Sequence, residues 1–241
     1  MAFSWDEDGM KWRGGSRPAT PRRRWLRIGC LPLLAIIVGA VVLIAAIALW
    51  PRTLPQPESI AAALPKSELT HLRPVAWFAS IGDPETRSLA LFAEAGRVIQ
   101  HPRCMNCHPR NDRPTQTDAM RLHAPWVSRG PDDAGELTLR CSTCHHAANF
   151  EASGVPGNPK WKLAPIEMAW QGKSLGEICR QILDPARSRM DRAALLHHMA
   201  EDELVGWAWH PGGKRTPVPG TQAEFGALIK AWLDSGARCP V

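Results

Sequence analysis

The 241-residue chain contains no tyrosine and only 5 phenylalanines, so its aromatic surface comes chiefly from 11 tryptophans. No part of its chemistry can use a phenol. It also lacks positive charge where that would matter for binding nucleic acid. Of the formal +6, residues 1–50 supply +4 (7 basic, 3 acidic), and residues 51–241 supply only +2 (22 basic, 20 acidic). A nucleic-acid surface is therefore not indicated, and most of the basicity is a topology signal. Cysteine is scarce, at 7 residues, and no βαβ pattern surrounds any of them. That excludes a thioredoxin-like redox pair.

What is present is a repeated five-residue pattern: Cys104-Met-Asn-Cys107-His108, and 37 residues later Cys141-Ser-Thr-Cys144-His145. Two thiols at this spacing can each form a thioether to one porphyrin while the next residue, His, reaches the iron. Two such motifs imply two covalently bound haem c groups. A zinc ribbon also presents four thiolates as paired C-x-x-C. Zinc needs only the sulfurs, so that reading leaves the histidine after each pair unexplained. With these two motifs the chain resembles the dihaem c-type cytochromes.

The first fifty residues do not read as part of a soluble fold. Residues 1–24 are polar and basic, with Lys11, Arg13, Arg17, Arg22, Arg23 and Arg24 against Asp6, Glu7 and Asp8. Ile28 to Trp50 is an uncharged run of 23 residues, long enough to cross a bilayer as one helix. Basic residues cluster before it, Arg52 alone follows closely, and Trp25 and Trp50 bracket it. The expected arrangement is a basic cytoplasmic tail (1–24), a transmembrane signal-anchor helix (25–50), and everything beyond on the periplasmic side of a bacterial inner membrane. Cleavage after Ala46-Ile-Ala48 is the alternative, and the length of the apolar stretch favours an uncleaved anchor.

Residues 51–82 begin Pro-Arg-Thr-Leu-Pro-Gln-Pro and show no sustained period, which reads as a Pro-rich tether. Residues 83–241 read as one mainly α, cytochrome c-like dihaem domain with long loops. Asp83-Pro84 opens a helix with Leu89, Phe92, Ala95 and Val98 or Ile99 at helical spacing, and His101-Pro102 ends it. Ser174-x-x-Glu177 and Thr221-x-x-Glu224 form capping boxes ahead of Leu175/Ile178/Ile182 and Phe225/Leu228/Ile229/Trp232. Asp191 can cap a helix carrying Leu195, Leu196 and Met199. Residues 109–173, rich in Pro, Gly and polar residues, read as loop wrapped over haem, whose apolar surface substitutes for packed side chains. In cytochromes c a helix runs into the haem motif and a C-terminal helix crosses it, so the first and last helices are expected to touch.

Cys104, Cys107, Cys141 and Cys144 are the attachment residues, and His108 and His145 the proximal iron ligands. For the distal positions His101, His123, His146, His197, His198, Met120, Met168 and Met199 are candidates. His123 and His198 come first and Met168 next. His197 and His198 are adjacent on a helix and point about 100° apart, so at most one faces a given iron. A Met after a Pro-containing loop, as at Met168, resembles the Met ligand of class I cytochromes. Trp126, Trp161, Trp170, Trp207, Trp209 and Trp232 are candidate haem-wall residues, and Arg121, Arg129, Arg140 and Arg180 candidate propionate partners. The two remaining exported thiols, Cys179 and Cys239, are expected to form a disulfide.

The leading functional expectation is a non-enzymatic electron carrier, because fully ligated irons transfer electrons without binding substrate. The alternative is a dihaem peroxidase-type enzyme, which needs an open distal position and a polar peroxide pocket. That family separates its motifs by a whole domain, whereas 36 residues lie between His108 and His145. His101-Pro-Arg-Cys-Met-Asn-Cys-His-Pro, His123-Ala-Pro-Trp-Val-Ser-Arg-Gly and Leu204-Val-Gly-Trp-Ala-Trp are similar to a bacterial dihaem family associated with molybdenum hydroxylases of the isoquinoline 1-oxidoreductase type. The resemblance covers most of residues 87–241. It implies a periplasmic redox partner carrying molybdopterin and iron-sulfur centres, with a downstream cytochrome or oxidase as acceptor. Nothing in this chain itself binds molybdopterin or flavin.

Overall fold

The computed structural model describes residues 36–41 and 70–241. Residues 36–41 are helical and expose Ile36, Ile37, Val38 and Val41. The rest of the expected membrane segment 25–50, the basic tail 1–24 and tether residues 51–69 lie outside the described residues. Among the described residues no helix is long and apolar enough to cross a membrane.

From residue 70 onward the chain is mainly helical. Helix α1, Pro84–Ile99, starts where the Asp83 carboxylate accepts a hydrogen bond from the Thr86 amide at 2.8 Å, with proline in the first turn. It buries Ser88, Leu91, Phe92, Ala95, Val98 and Ile99. Leu89, expected on this face, is only half-buried, because the stripe 88/91/92/95/98/99 turns Leu91 inward in its place. A short helix α2, Pro102–Met105, follows, capped by His101.

The next seventy residues carry little regular structure, as expected, but they are not structureless. Strands β1 (Thr115–Gln116) and β2 (Arg121–Leu122) pair antiparallel with Thr115 opposite Leu122. Strands β3 (Gly135–Glu136) and β4 (Leu139–Arg140) pair with Gly135 opposite Arg140. Two-residue strands carry no periodicity, so they leave no trace in the sequence pattern.

The C-terminal half returns to helices: α3 Leu175–Leu183, α4 Pro185–Ser188, α5 Arg192–Glu201, α6 Glu203–Gly206 and α7 Gln222–Asp234. Both expected capping boxes form, with the Ser174 and Thr221 hydroxyls each accepting from an N3 amide at 3.2 Å. Asp191 caps α5 through the Ala194 amide at 2.8 Å.

Helix α7 packs against both α1 and α5. Trp232, fully buried, sits against Phe92 with ring centroids 4.5 Å apart, so the first and last helices meet as expected. At Gly226 an added Cβ would lie 2.5 Å from the Ala200 Cβ, so only glycine lets α7 approach α5 this closely. Cys179 in α3 and Cys239 near the C-terminus are joined as a disulfide.

The tether assignment needs correction at its C-terminal end. Leu72 and Phe78 are buried in the core, the Gly220 amide donates to the Thr70 carbonyl, and Arg73 reaches buried Glu94 at 3.0 Å. Residues 70–82 therefore belong to the folded domain. Leu72 and the short run Val75-Ala76-Trp77-Phe78, with Pro74 between them, are too brief to show a helical or strand period, so sequence pattern alone does not reveal that Leu72 and Phe78 are buried.

Candidate functional site

Both five-residue motifs fold into the same local turn. The His108 amide donates to the Cys104 carbonyl at 3.2 Å, and the His145 amide donates to the Cys141 carbonyl at 2.9 Å. The first turn continues α2, and the second is a 3-10 turn over Cys141–Thr143. All four motif cysteines remain unpaired while Cys179 and Cys239 pair with each other.

Each motif histidine is oriented in the same way. Nδ1 of His108 lies 2.7 Å from the Met168 carbonyl, and Nδ1 of His145 lies 2.7 Å from the Pro156 carbonyl. A carbonyl only accepts, so Nδ1 carries the proton in both rings. Nε2 is then a lone-pair donor, and it has no protein partner among the described residues. Each ring is also clamped by tryptophan: His108 stacks on Trp170 at 3.5 Å and 7°, and His145 on Trp161 at 4.6 Å and 12°. Burial pushes the His108 pKa down to about 3 and lowers that of His145, against opposing hydrogen bonds to the two carbonyls. Neutral imidazole is the form that binds a metal.

Burial pushes the Cys104 thiol up to about 12 and the Cys107 thiol to about 11, and it raises Cys141 as well. Thiols so placed are poor thiolates at neutral pH, which does not suit a redox-active pair. Among the described residues, no three His, Cys, Asp or Glu side chains converge on a point where a metal ion could sit. A haem iron asks for only one or two protein ligands, so this donor set fits it better than tetrahedral zinc.

A cavity of about 1000 Å³ opens between the motifs. This is at the large end of small-molecule and cofactor sites, roughly 300–1,000 Å³. The second motif lines it with Cys141, Cys144 and His145, and the first contributes Cys107. His123, expected as a distal residue, lines it as well, with its ring centroid 6.0 Å from that of His145. The Trp161 and Trp207 rings form part of the wall, edge to face at 4.9 Å. His108 lies outside this lining, beside Trp170, whose buried Nε1 has no hydrogen-bond partner. An orphaned indole N–H beside the His108 imidazole fits a bound group that brings acceptor atoms.

The other expected site residues divide clearly. His198 is half-buried, its pKa lowered by burial, and it is near enough to His108 for their charges to interact. Its neighbour His197 points outward and pairs with Glu201 at 2.9 Å, so only one of the two faces inward. His146 is exposed, and Met199 is a core residue.

Met168 lies outside the cavity lining. Its side chain is buried in the hydrophobic core and its carbonyl, not its sulfur, meets His108. Because that carbonyl meets Nδ1, Met168 lies on the Nδ1 side of the His108 ring, away from Nε2. Trp209 and Trp232 are likewise core residues, and Trp126 is exposed with the Arg113 guanidinium 3.9 Å above its ring. Of the four arginines, Arg121 and Arg140 line the cavity, and Arg140 already pairs with Asp132 at 2.5 Å. Arg129 is buried against Asp133, and Arg180 bonds the Pro240 carbonyl. Arg103, paired with Asp118, and Arg215 line the cavity without having been singled out in the sequence. Nothing in their local sequence marks them.

Two expected results follow from these local contacts. Gly157 follows the carbonyl that holds His145, and a Cβ there would collide with the Ala148 and His146 carbonyl oxygens. Gly157→Ala should cost about 1–3 kcal/mol in denaturant unfolding, because backbone must move to admit the methyl. Its effect should be local to the second motif, measured as a shift of the His145 ring resonances in NMR spectra.

His101 caps α2 by accepting from the Arg103 amide at 3.2 Å, and burial, then the Arg103 charge, push its pKa from 6.5 down to about 4. Between those values the unfolded chain binds more protons than the folded one, so stability should fall as pH drops from 6.5 towards 4. The loss should be on the order of 1–3 kcal/mol. His101→Asn keeps a capping acceptor without titrating. Unfolding curves at pH 7 and pH 4.5 should show a smaller acid loss in that variant than in the parent.

No family model, curated protein or solved structure matches the chain.

Proposed function

We propose that this chain is a membrane-anchored dihaem c-type cytochrome, a single-electron carrier rather than an enzyme. The observation that carries the reading is that the histidine of each C-x-x-C-H turn is held through Nδ1 by a backbone carbonyl at 2.7 Å, with Nε2 left for a metal. Cys104 and Cys107 would hold one haem and Cys141 and Cys144 the other through thioethers, with His108 and His145 as proximal ligands. When bound, each haem supplies a one-electron iron couple. The Met168 and Pro156 carbonyls fix each imidazole's tautomer and raise its basicity as a ligand. Trp161 and Trp207 exclude water from one wall of the cavity. Cys107 and Cys141 border the same cavity, so groups attached to the two motifs are neighbours.

The donor we assign is a periplasmic dehydrogenase, with a molybdenum hydroxylase as the particular partner, and the acceptor a respiratory cytochrome or oxidase. The full chain, produced in a host with cytochrome maturation and extracted from membranes, should retain two covalent haems per polypeptide after denaturation. It should take up two electrons in a reductive titration without turning over peroxide. A colourless chain, or one holding stoichiometric zinc, overturns the reading.

A further inference from the structure

His123 and His145 both face the large cavity, and their rings are 6.0 Å apart, centroid to centroid. That separation is longer than face-to-face stacking and lies within edge-to-face range, and no hydrogen bond links the two rings among the described residues. It matches two imidazoles sharing one metal: bonds of about 2.0–2.1 Å, plus about 1.1 Å from each nitrogen to its ring centre, place the centroids about 6.3 Å apart. The 63° between the ring planes is no obstacle, because each axial ring is free to take its own rotation about a shared axis.

His123 is held through its ring and its backbone, although among the described residues no tryptophan clamps it as Trp161 clamps His145. Its Nδ1 lies 3.1 Å from the Pro125 carbonyl, its amide donates to the Pro114 carbonyl at 3.0 Å, and its carbonyl accepts from Arg113 at 3.1 Å. Nδ1 therefore carries the proton, and Nε2 is left unpartnered among the described residues, as in His108 and His145. Three histidines share this one arrangement. Two of them follow C-x-x-C, and the third stands opposite one of those two.

Resting on the dihaem reading, we infer that His123 is the distal ligand of the haem held by Cys141 and Cys144. That site is then bis-histidine and six-coordinate. A bis-histidine iron has a lower reduction potential than a Met/His iron, and it has no open position for peroxide.

The test uses the full-length holoprotein. Covalent haem is counted first by staining after denaturation, because a wild-type chain without two haems overturns the dihaem reading itself. With two haems present, near-infrared magnetic circular dichroism of the oxidised protein should show bis-imidazole ligation at one site at least, and its absence from both overturns the inference. His123→Gly should convert one of the two haems to high spin, and added imidazole should restore it. His123→Met should give that site a sulfur-to-iron band and a raised potential. His198→Ala should leave the second haem's signature intact. Loss of the bis-imidazole signal in His198→Ala, or an unchanged spectrum in His123→Gly, overturns the assignment. Should His123→Gly fail to mature, the wild-type spectrum and His123→Met decide it.

Discussion

Replacing Cys141 and Cys144 together by alanine is expected to leave a chain carrying one covalent haem in place of two. Each motif is a self-contained turn, closed by a hydrogen bond from the histidine amide to its own first cysteine, so removing one pair of thiols leaves the other turn intact. The first motif is held by α2 and by the stacking of His108 on Trp170, neither of which involves residues 141–145. The pigment left after denaturation should fall by half, and the mass should drop by one haem. The reciprocal pair, Cys104→Ala with Cys107→Ala, should also halve it, with a larger cost in folding because Cys104 packs against the core. If either double variant keeps both haems, or loses both while its helical content stays native, covalent attachment is not assigned as proposed here. Zinc held by four sulfurs would instead be lost whole in either variant, since a half-site has too few ligands.

Removing the Cys179–Cys239 link should be the largest purely structural loss. The bridge closes a loop of 60 residues, for which the chain-entropy relation gives about 4 kcal/mol at room temperature. For a domain of this size that corresponds to about 8–16 °C in melting temperature. Cys179 is fully buried on α3, and the segment it anchors also has the Arg238 amide bonded to the buried Ser88 hydroxyl at 3.0 Å. The bridge thus ties the C-terminal tail to α3, while that hydrogen bond ties it to α1. Cys179→Ala with Cys239→Ala should lower the melting temperature without changing the haem count. Thermal unfolding with and without reductant should show the same shift in the parent, and a shift below 2 °C would mean the tail is held by its other contacts.

The disulfide pair was separable from the C-x-x-C-H cysteines in the sequence because the motif has a fixed local spacing, and the structure pairs Cys179 with Cys239. Helix starts were legible for a related reason. Asp83, Ser174, Asp191 and Thr221 each bond the amide three residues on, so every atom of the cap lies in one short stretch of sequence. The same holds for the motif turns. Which face of a helix is buried was legible to within one residue, as the exchange of Leu89 for Leu91 shows. The pairing of α1 with α7 was anticipated from resemblance, and the Phe92–Trp232 contact bears it out.

The surroundings of His145 were not legible in this way. His123 lies 22 residues from His145 in sequence, and their approach depends on the loops through Pro114, Pro125 and Pro156, whose carbonyls hold the backbone and rings. Met168 looked like a ligand because methionine after a proline loop is a local pattern, yet its position on the Nδ1 side of His108 is a non-local fact. Likewise Arg103 and Arg215 reach the cavity, while Arg180, no different in type, bonds the C-terminal tail.

The sequence by itself therefore determined the chemistry available at each motif, the capped helices and the supply of candidate ligands, since each of these is encoded within a few consecutive residues. The tertiary structure alone decided which carbonyl holds each imidazole, which histidine stands across from His145, and that residues 70–82 are core rather than tether. Those depend on chain segments far apart in sequence meeting at distances of a few ångströms, and no local pattern records such a meeting.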